Sequence, residues 1–202
     1  MARKVDKEKR QAELLETAIQ VFAERGYQAT TMDEIADRAG VSKGMLYIYF
    51  KNKEALFGAV FRWFGAVVGE EMLQAMNEAE NEVEQLRQIA TAWGRIAIEH
   101  REYVPLFLDF WAAASLRGMR SDYADDLAHM YDEYRILIAG IIESGKKKGL
   151  FRKTTDSQAA AYFLVGGMDG IFIQAWLSQS KAPDKLITSA LGMLLDGICV
   201  QK

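Results

Sequence analysis

An all-α fold of about nine helices is predicted by three observations. Apolar residues recur at helical spacing along nearly all of the 202 residues, with no alternating strand pattern. Ala, Leu, Glu, Lys and Gln dominate long stretches, and only 2 prolines interrupt them. Breakers fall between the periodic segments, at Gly26, Gly40, Pro105, Gly118, Gly145 to Gly149 and Pro183. Half of the residues are hydrophobic, so the chain can bury a substantial core.

Leu15, Ala18, Ile19, Phe22 and Ala23 make the apolar face of a first helix over roughly 6–25, which Gly26 stops. A short second helix follows. Thr31 and Glu34 form a capping-box pattern at its start, Met32, Ile35, Ala36 and Ala39 form its apolar face, and Gly40 breaks it. Ser42 is placed to N-cap a third helix reaching about Tyr49. Asn52 caps a long fourth helix to about Asn77, with Glu54 in its first turn. Five more helical patterns cover about 82–101, 104–118, 121–147, 155–180 and 184–200.

Composition narrows the function. Cys199 is the single cysteine, which excludes an internal disulfide and a multi-cysteine metal site and suits a reducing cytoplasm. The charged start, Met1 to Arg10, lacks the apolar core of a signal peptide, and no uncharged apolar run is long enough to span a bilayer. A cytoplasmic protein with no membrane partner is expected. With two histidines, His100 and His129, and no phosphate loop, metal spacing or nucleophile motif, an enzyme is not expected, nor any cofactor. Net charge is −3, but residues 1–53 carry 10 Lys/Arg against 8 Asp/Glu, and residues 54–202 carry 15 against 20. A mildly basic head on an acidic body can bind DNA if its cations share one face.

Residues 31–57 are the most informative. Two short helices joined through Ala39-Gly40-Val41 have the form of a helix-turn-helix, packed through Ile35, Ala36 and Met45 or Leu46. Ser42, Lys43, Gly44 and Met45 lie at the free N-terminus of the second helix, where side chains meet base edges and backbone N–H groups meet phosphate. Tyr47 and Tyr49, two apart, cannot share one helical face, so burial accounts for only one of them. Their hydroxyls suit phosphate, and Lys51 and Lys53 add charge on the same edge. On these features alone, an ordinary corner between two amphipathic helices fits as well.

The run from Thr30-Thr31-Met32-Asp33-Glu34-Ile35-Ala36 through Ala39-Gly40-Val41-Ser42-Lys43-Gly44-Met45-Leu46-Tyr47-Ile48-Tyr49-Phe50-Lys51-Asn52-Lys53-Glu54-Ala55-Leu56-Phe57 closely resembles the DNA-binding signature of the TetR family. The resemblance implies an N-terminal DNA-binding domain over 1–53 and a larger ligand-binding and dimerisation domain over 54–202. It implies that Thr31 and Ser42 cap helices and reach phosphates. Lys43, Gly44 and Met45 face the bases; Tyr47, Tyr49 and Lys51 grip the backbone; Phe50 and Leu56 anchor the head on the fourth helix. Met45 and Ile48 depart mildly from the family pattern. Phe107-Leu108-Asp109-Phe110-Trp111, Gly149-Leu150-Phe151 and Met168-Asp169-Gly170-Ile171 resemble, more loosely, the BetI/YfiR-like subgroup.

A single three-helix head buries too little surface for tight, specific binding, so a homodimer reading a palindromic operator in double-stranded DNA is expected. Residues 159–176 are apolar on nearly all sides, and Gly166, Gly167 and Gly170 permit close helix approach. The dimer interface is expected over about 155–200. A sensing pocket is expected between the fourth and eighth helices, lined by some of Phe64, Met72, Trp93, Ile96, Tyr103, Phe107, Phe110, Trp111, Met119, Tyr123, Met130, Tyr134, Tyr162, Met168 and Trp176. Each also serves as an ordinary bundle-core residue. Such a lining suits a small apolar or amphipathic effector. Asp109 and Asp169, inside apolar runs, need a partner: an Arg or Lys foremost, otherwise a helix to cap or a cationic ligand. Lys146, Lys147 and Lys148 suit a helix C-terminus better than a second DNA contact. The expected function is a ligand-responsive transcriptional repressor released from its operator by that effector. The rival reading is a helical architectural DNA binder without an effector.

Overall fold

The computed structural model describes residues 2–115 and 122–200, with side chains from residue 7 and again from residue 124. Nine α-helices are found among them: α1 (Ala2–Arg25), α2 (Met32–Arg38), α3 (Lys43–Tyr49), α4 (Lys53–Asn77), α5 (Glu82–Glu99), α6 (Val104–Ser115), α7 (Asp122–Lys147), α8 (Ser157–Leu177) and α9 (Pro183–Ile198). Gly118 and Met119, named from the sequence, lie outside the described residues, as does the Tyr123 side chain. Helix α1 starts at Ala2, earlier than the apolar pattern marks, because its first turns are mostly charged and Val5 alone is too little to register as a repeat. Pro105 does not break a helix. It stands in the first turn of α6, where a missing N–H costs nothing.

The helices form two compact units, Met1–Val67 with Glu102–Leu127, and Val68–Arg101 with Ala128–Lys202. This division runs through α4 and α7 and does not coincide with a boundary at 53/54.

The first unit has an aromatic core. Phe61 and Phe110 stack at 3.7 Å, and Phe57 meets Phe110 and Phe22 at 5.3 Å each. These rings clamp α1, α4 and α6 around Leu14, Leu15, Ala18 and Ile19, all nearly inaccessible. Gly26 and Gly40 close α1 and α2 in the left-handed region (φ 77° and 65°), which glycine adopts at no steric cost.

In the second unit α5 lies so close to α9 that a Cβ on Gly94 would come within 2.8 Å of the Asp184 backbone. A Cβ on Gly145 would overlap the buried Phe151 ring. Buried Glu82 is held by the Ser144 hydroxyl and the Lys148 ammonium, each at 2.6 Å. Lys146 donates to Thr155 O at 2.9 Å. Two of the three consecutive lysines are thus used within the fold.

Helix α8 is long and apolar enough to cross a membrane by length and composition, with Asp169 in its middle. One face (Ala161, Leu164, Val165, Met168, Phe172) is buried, while Tyr162, Phe163 and Leu177 on the other are exposed. On α9, Leu186 and Met193 are exposed too, Met193 to 78%.

Candidate nucleic-acid interface and apolar cavities

The two short helices of the head are built by their caps. Thr31 accepts from Glu34 N at 3.2 Å, and Thr31 N donates back to Glu34 Oε2 at 2.9 Å, which closes the capping box of α2. Ser42 accepts from Met45 N at 3.2 Å and starts α3. Leu46, with no exposed surface, is the buried residue of α3, as Ile35 and Ala36 are of α2; Met45 is exposed and is not the packing residue.

Burying Leu46 turns the rest of α3 outward. Lys43, Gly44, Met45, Tyr47 and Ile48 are all exposed, as is Lys51 beyond it. Ile48 is 70% exposed, a large apolar side chain on the same face as Gly44 and Tyr47 by the i, i+3, i+4 rule. Ile48 departs from the family pattern, and its place two residues after the buried Leu46 puts it on the outer side of the helix. Tyr49 is the half-buried tyrosine of the pair, with Lys7 Nζ 6.0 Å from its ring centre.

Gly44 is informative because the fold does not require it. A Cβ there would meet nothing nearer than Ser42 Oγ at 4.0 Å. Lys43 is engaged by Asp33 at 2.7 Å, both side chains exposed, and this hydrogen bond raises the lysine pKa.

Lys53 belongs to the scaffold and not to the charged edge. Its ammonium donates to Tyr27 O at 2.9 Å, Gln28 O at 3.3 Å and Thr30 O at 2.9 Å, and lies 4.5 Å from the Tyr27 ring centre. Asp109 on α6 accepts from Tyr27 N at 3.0 Å. The loop between α1 and α2 is therefore held from two elements at once.

Neither apolar-run carboxylate takes an Arg or Lys among the described residues. Asp109 binds that backbone N–H. Asp169 accepts from the Tyr131 hydroxyl at 2.6 Å, and burial pushes its carboxyl up to about 6. Burial, with Asp169 nearby, likewise pushes the Tyr134 phenol up to about 12.

The aromatic residues expected around one pocket are distributed. Trp93, Tyr134 and Met168, with Met72, line a cavity of about 30 Å³ in the second unit, completed by Ile89, Leu137, Ile138 and Val165. Trp176 lines a separate one of about 40 Å³, with Phe172, Ile98, Arg101 and Lys181 among its walls. Phe64, Phe107 and Phe110 sit in the core of the first unit around a space of about 10 Å³, and Tyr103 packs edge-on to Phe64. Ile96 is buried core, Met130 is half-buried, and Trp111 and Tyr162 are exposed, Tyr162 under the Arg135 guanidinium at 4.4 Å.

Residues 14–60 match the model of "Bacterial regulatory proteins, tetR family", and residues 82–200 match "BetI-type transcriptional repressor, C-terminal". The HTH-type transcriptional repressor KstR2 of Rhodococcus jostii is 33% identical over 195 residues, covering 94% of this chain and 91% of that protein. The fatty acid metabolism regulator protein of Bacillus subtilis is 26% identical, covering 92% and 94%. Among solved structures, FadR of Bacillus subtilis in complex with stearoyl-CoA superposes with a TM-score of 0.78 at 24% identity, covering 93% and 98%. A transcriptional regulator from Saccharomonospora viridis in complex with choline gives 0.83 at 21%, covering 96% and 100%. These two structures share the fold.

Proposed function

The chain belongs to the TetR family of bacterial regulatory proteins, with a BetI-type C-terminal region, and we propose that it is a cytoplasmic repressor that binds a palindromic operator as a homodimer and is released by a small apolar or amphipathic effector. Residues 1–53 read DNA and residues 54–202 sense and dimerise.

The observation that carries this reading is the outward row on α3. Helix α3 buries Leu46 and leaves Lys43, Gly44, Met45 and Tyr47 to solvent on a helix whose N-terminus is free, the arrangement a recognition helix needs in the major groove. Thr31, Ser42, Tyr49 and Lys51 flank it as phosphate contacts. Gly44 supports the same reading: the fold leaves room for a side chain, whereas a DNA backbone or base edge at close approach does not.

Dimerisation is supported by the uncovered apolar face of α8 and α9. Tyr162, Phe163, Leu177, Leu186 and Met193 are exposed, and the space beside Gly166 and Gly167 is open. A second copy burying this face would form a four-helix interface and give each glycine the close neighbour it lacks. The effector reading is supported by the apolar cavity at Trp93, Tyr134 and Met168. Its Met72 belongs to α4, the helix that begins at Lys53 beside the head, which gives a bound ligand a covalent route to the DNA-reading end. The effector shifts the equilibrium only by its differential affinity for the two states.

A gel-shift titration of the protein against its own upstream intergenic DNA, with excess nonspecific competitor at a stated salt concentration, tests the DNA reading. A discrete, competitor-resistant shift that Tyr47→Ala weakens at least tenfold is expected. Wild-type affinity in the Tyr47→Ala variant would overturn the residue assignment, and failure to enrich any palindrome from a random DNA pool would overturn the operator reading.

A further inference from the structure

The cavity at Trp176 and the cavity at Met168 are each lined by one of two packed rings. Phe172 lines the first and Trp93 the second, and their rings lie 5.9 Å apart. The outer cavity carries two cations, Arg101 and Lys181, and neither pairs with a carboxylate among the described residues. The inner cavity is almost wholly hydrocarbon. No Asp or Glu is among the residues lining either one; Asp169, next to Met168, is engaged by Tyr131. In the partition itself, the Trp93 indole N–H is buried without an acceptor. A cationic mouth, an unused donor in the wall and an apolar interior match a molecule with an anionic oxygen head and a hydrocarbon tail.

We propose that the two cavities are one divided channel for an anionic amphiphile. Its carboxylate or phosphate head sits between Arg101 and Lys181, and its chain passes Phe172 and Trp93 into the space walled by Met168 and Val165. Closed, the chambers measure about 40 and 30 Å³, room for a few waters and not for a ten-carbon chain. Entry therefore parts Trp93 from Phe172 and moves α5 against α8, so the ligand selects an arrangement different from the empty one. This rests on the effector reading above and specifies the class of effector.

The test is direct binding, read by the intrinsic tryptophan fluorescence of the full-length protein, with decanoate, decyl phosphate, 1-decanol and decyltrimethylammonium, each below its aggregation concentration. Decanoate or decyl phosphate should bind at least tenfold tighter than decanol, and the tighter of the two names the head group. Decanoate should also exceed hexanoate by roughly tenfold or more, because each methylene buried adds to affinity. In the double variant Arg101→Gln/Lys181→Gln, two exposed substitutions that leave the core intact, the anion advantage should vanish while decanol binding stays within twofold. Decanol or the ammonium binding as tightly as the anions would overturn the assignment while leaving the effector reading standing. An unchanged anion preference in the double variant would do the same. Binding of none of the four would overturn the proposal and the apolar-effector reading together.

Discussion

The α2–α3 head and the cavity-bearing second unit use the same materials, short side chains at helix contacts and aromatic residues, to opposite ends. In the head the unburied residues form the proposed DNA-reading face: Leu46 is inside, and Lys43, Gly44, Met45, Tyr47 and Ile48 are left out by the fold. In the second unit the proposed effector site is a defect in the packing, a pair of small spaces between residues that otherwise make ordinary core. The head is preformed and capped, whereas the proposed channel would have to open to be filled. A residue's role can therefore be tested by asking whether stability and binding move together. In the head they should separate; in the second unit they should be coupled.

The largest expected effect lies in the second unit. Asp169 has a folded pKa near 6 against an ordinary 3.8, so the folded state holds its proton more tightly than the unfolded chain. Relative to a neutral side chain it costs little below pH 4, and the cost grows as pH rises through about 4 to 6, reaching roughly 2–3 kcal/mol at neutral pH. Asp169→Asn, which keeps an acceptor for Tyr131, should be more stable than wild type at pH 8 and equal to it near pH 4. A constant stability difference at all pH values, measured by urea unfolding, would show that burial does not penalise the carboxylate.

Two glycines sharpen the contrast further. At Gly145 a methyl group has no room against Phe151, so Gly145→Ala should cost about 1–3 kcal/mol and lower Tm by several degrees. At Gly44 a methyl is free to enter and alanine is the better helix former, so Gly44→Ala should hold or raise Tm, by up to about 1 kcal/mol of stability, while weakening operator binding about tenfold. If Gly44→Ala binds operator normally, the outward row on α3 does not touch DNA closely there.

How much was legible follows from the same contrast. The helix boundaries and both N-caps of the head could be read because caps and left-handed glycines are local: Thr31 with Glu34, Ser42 with Met45, Gly40 at the turn. Exposure on α3 followed from one buried leucine and the helical repeat. The cavity could not be read this way. Its walls come from Met72, Trp93, Tyr134 and Met168, on four helices, and nothing local distinguishes Trp93 beside a cavity from Phe110 in a filled core. The partners of Asp109 and Asp169 were missed for a related reason. A buried carboxylate needs a donor, and the sequence shows charged donors more readily than a backbone N–H at Tyr27 or a phenol at Tyr131. Lys53 was misplaced because three carbonyls converge on it only after the α1–α2 loop has folded.

The smallest effect is the most discriminating for the head. Lys43 is tied to Asp33 at 2.7 Å with both side chains in solvent, where an ion pair adds little to stability and is screened by salt. If Lys43 contacts DNA as proposed, it leaves Asp33 to meet a base edge or phosphate, and Asp33 then stands as an uncompensated negative charge near the duplex. Asp33→Asn should leave Tm unchanged and raise operator affinity two- to fivefold, with the gain shrinking as salt rises because the removed repulsion is itself screened. Lys43→Ala should lose affinity and reduce the Asp33→Asn gain when the two are combined, since the aspartate acts partly by competing for that lysine. Full additivity of the two changes in the gel shift would mean that the Lys43–Asp33 pair persists on DNA, and would remove Lys43 from the reading face while leaving Tyr47 and Gly44 in place.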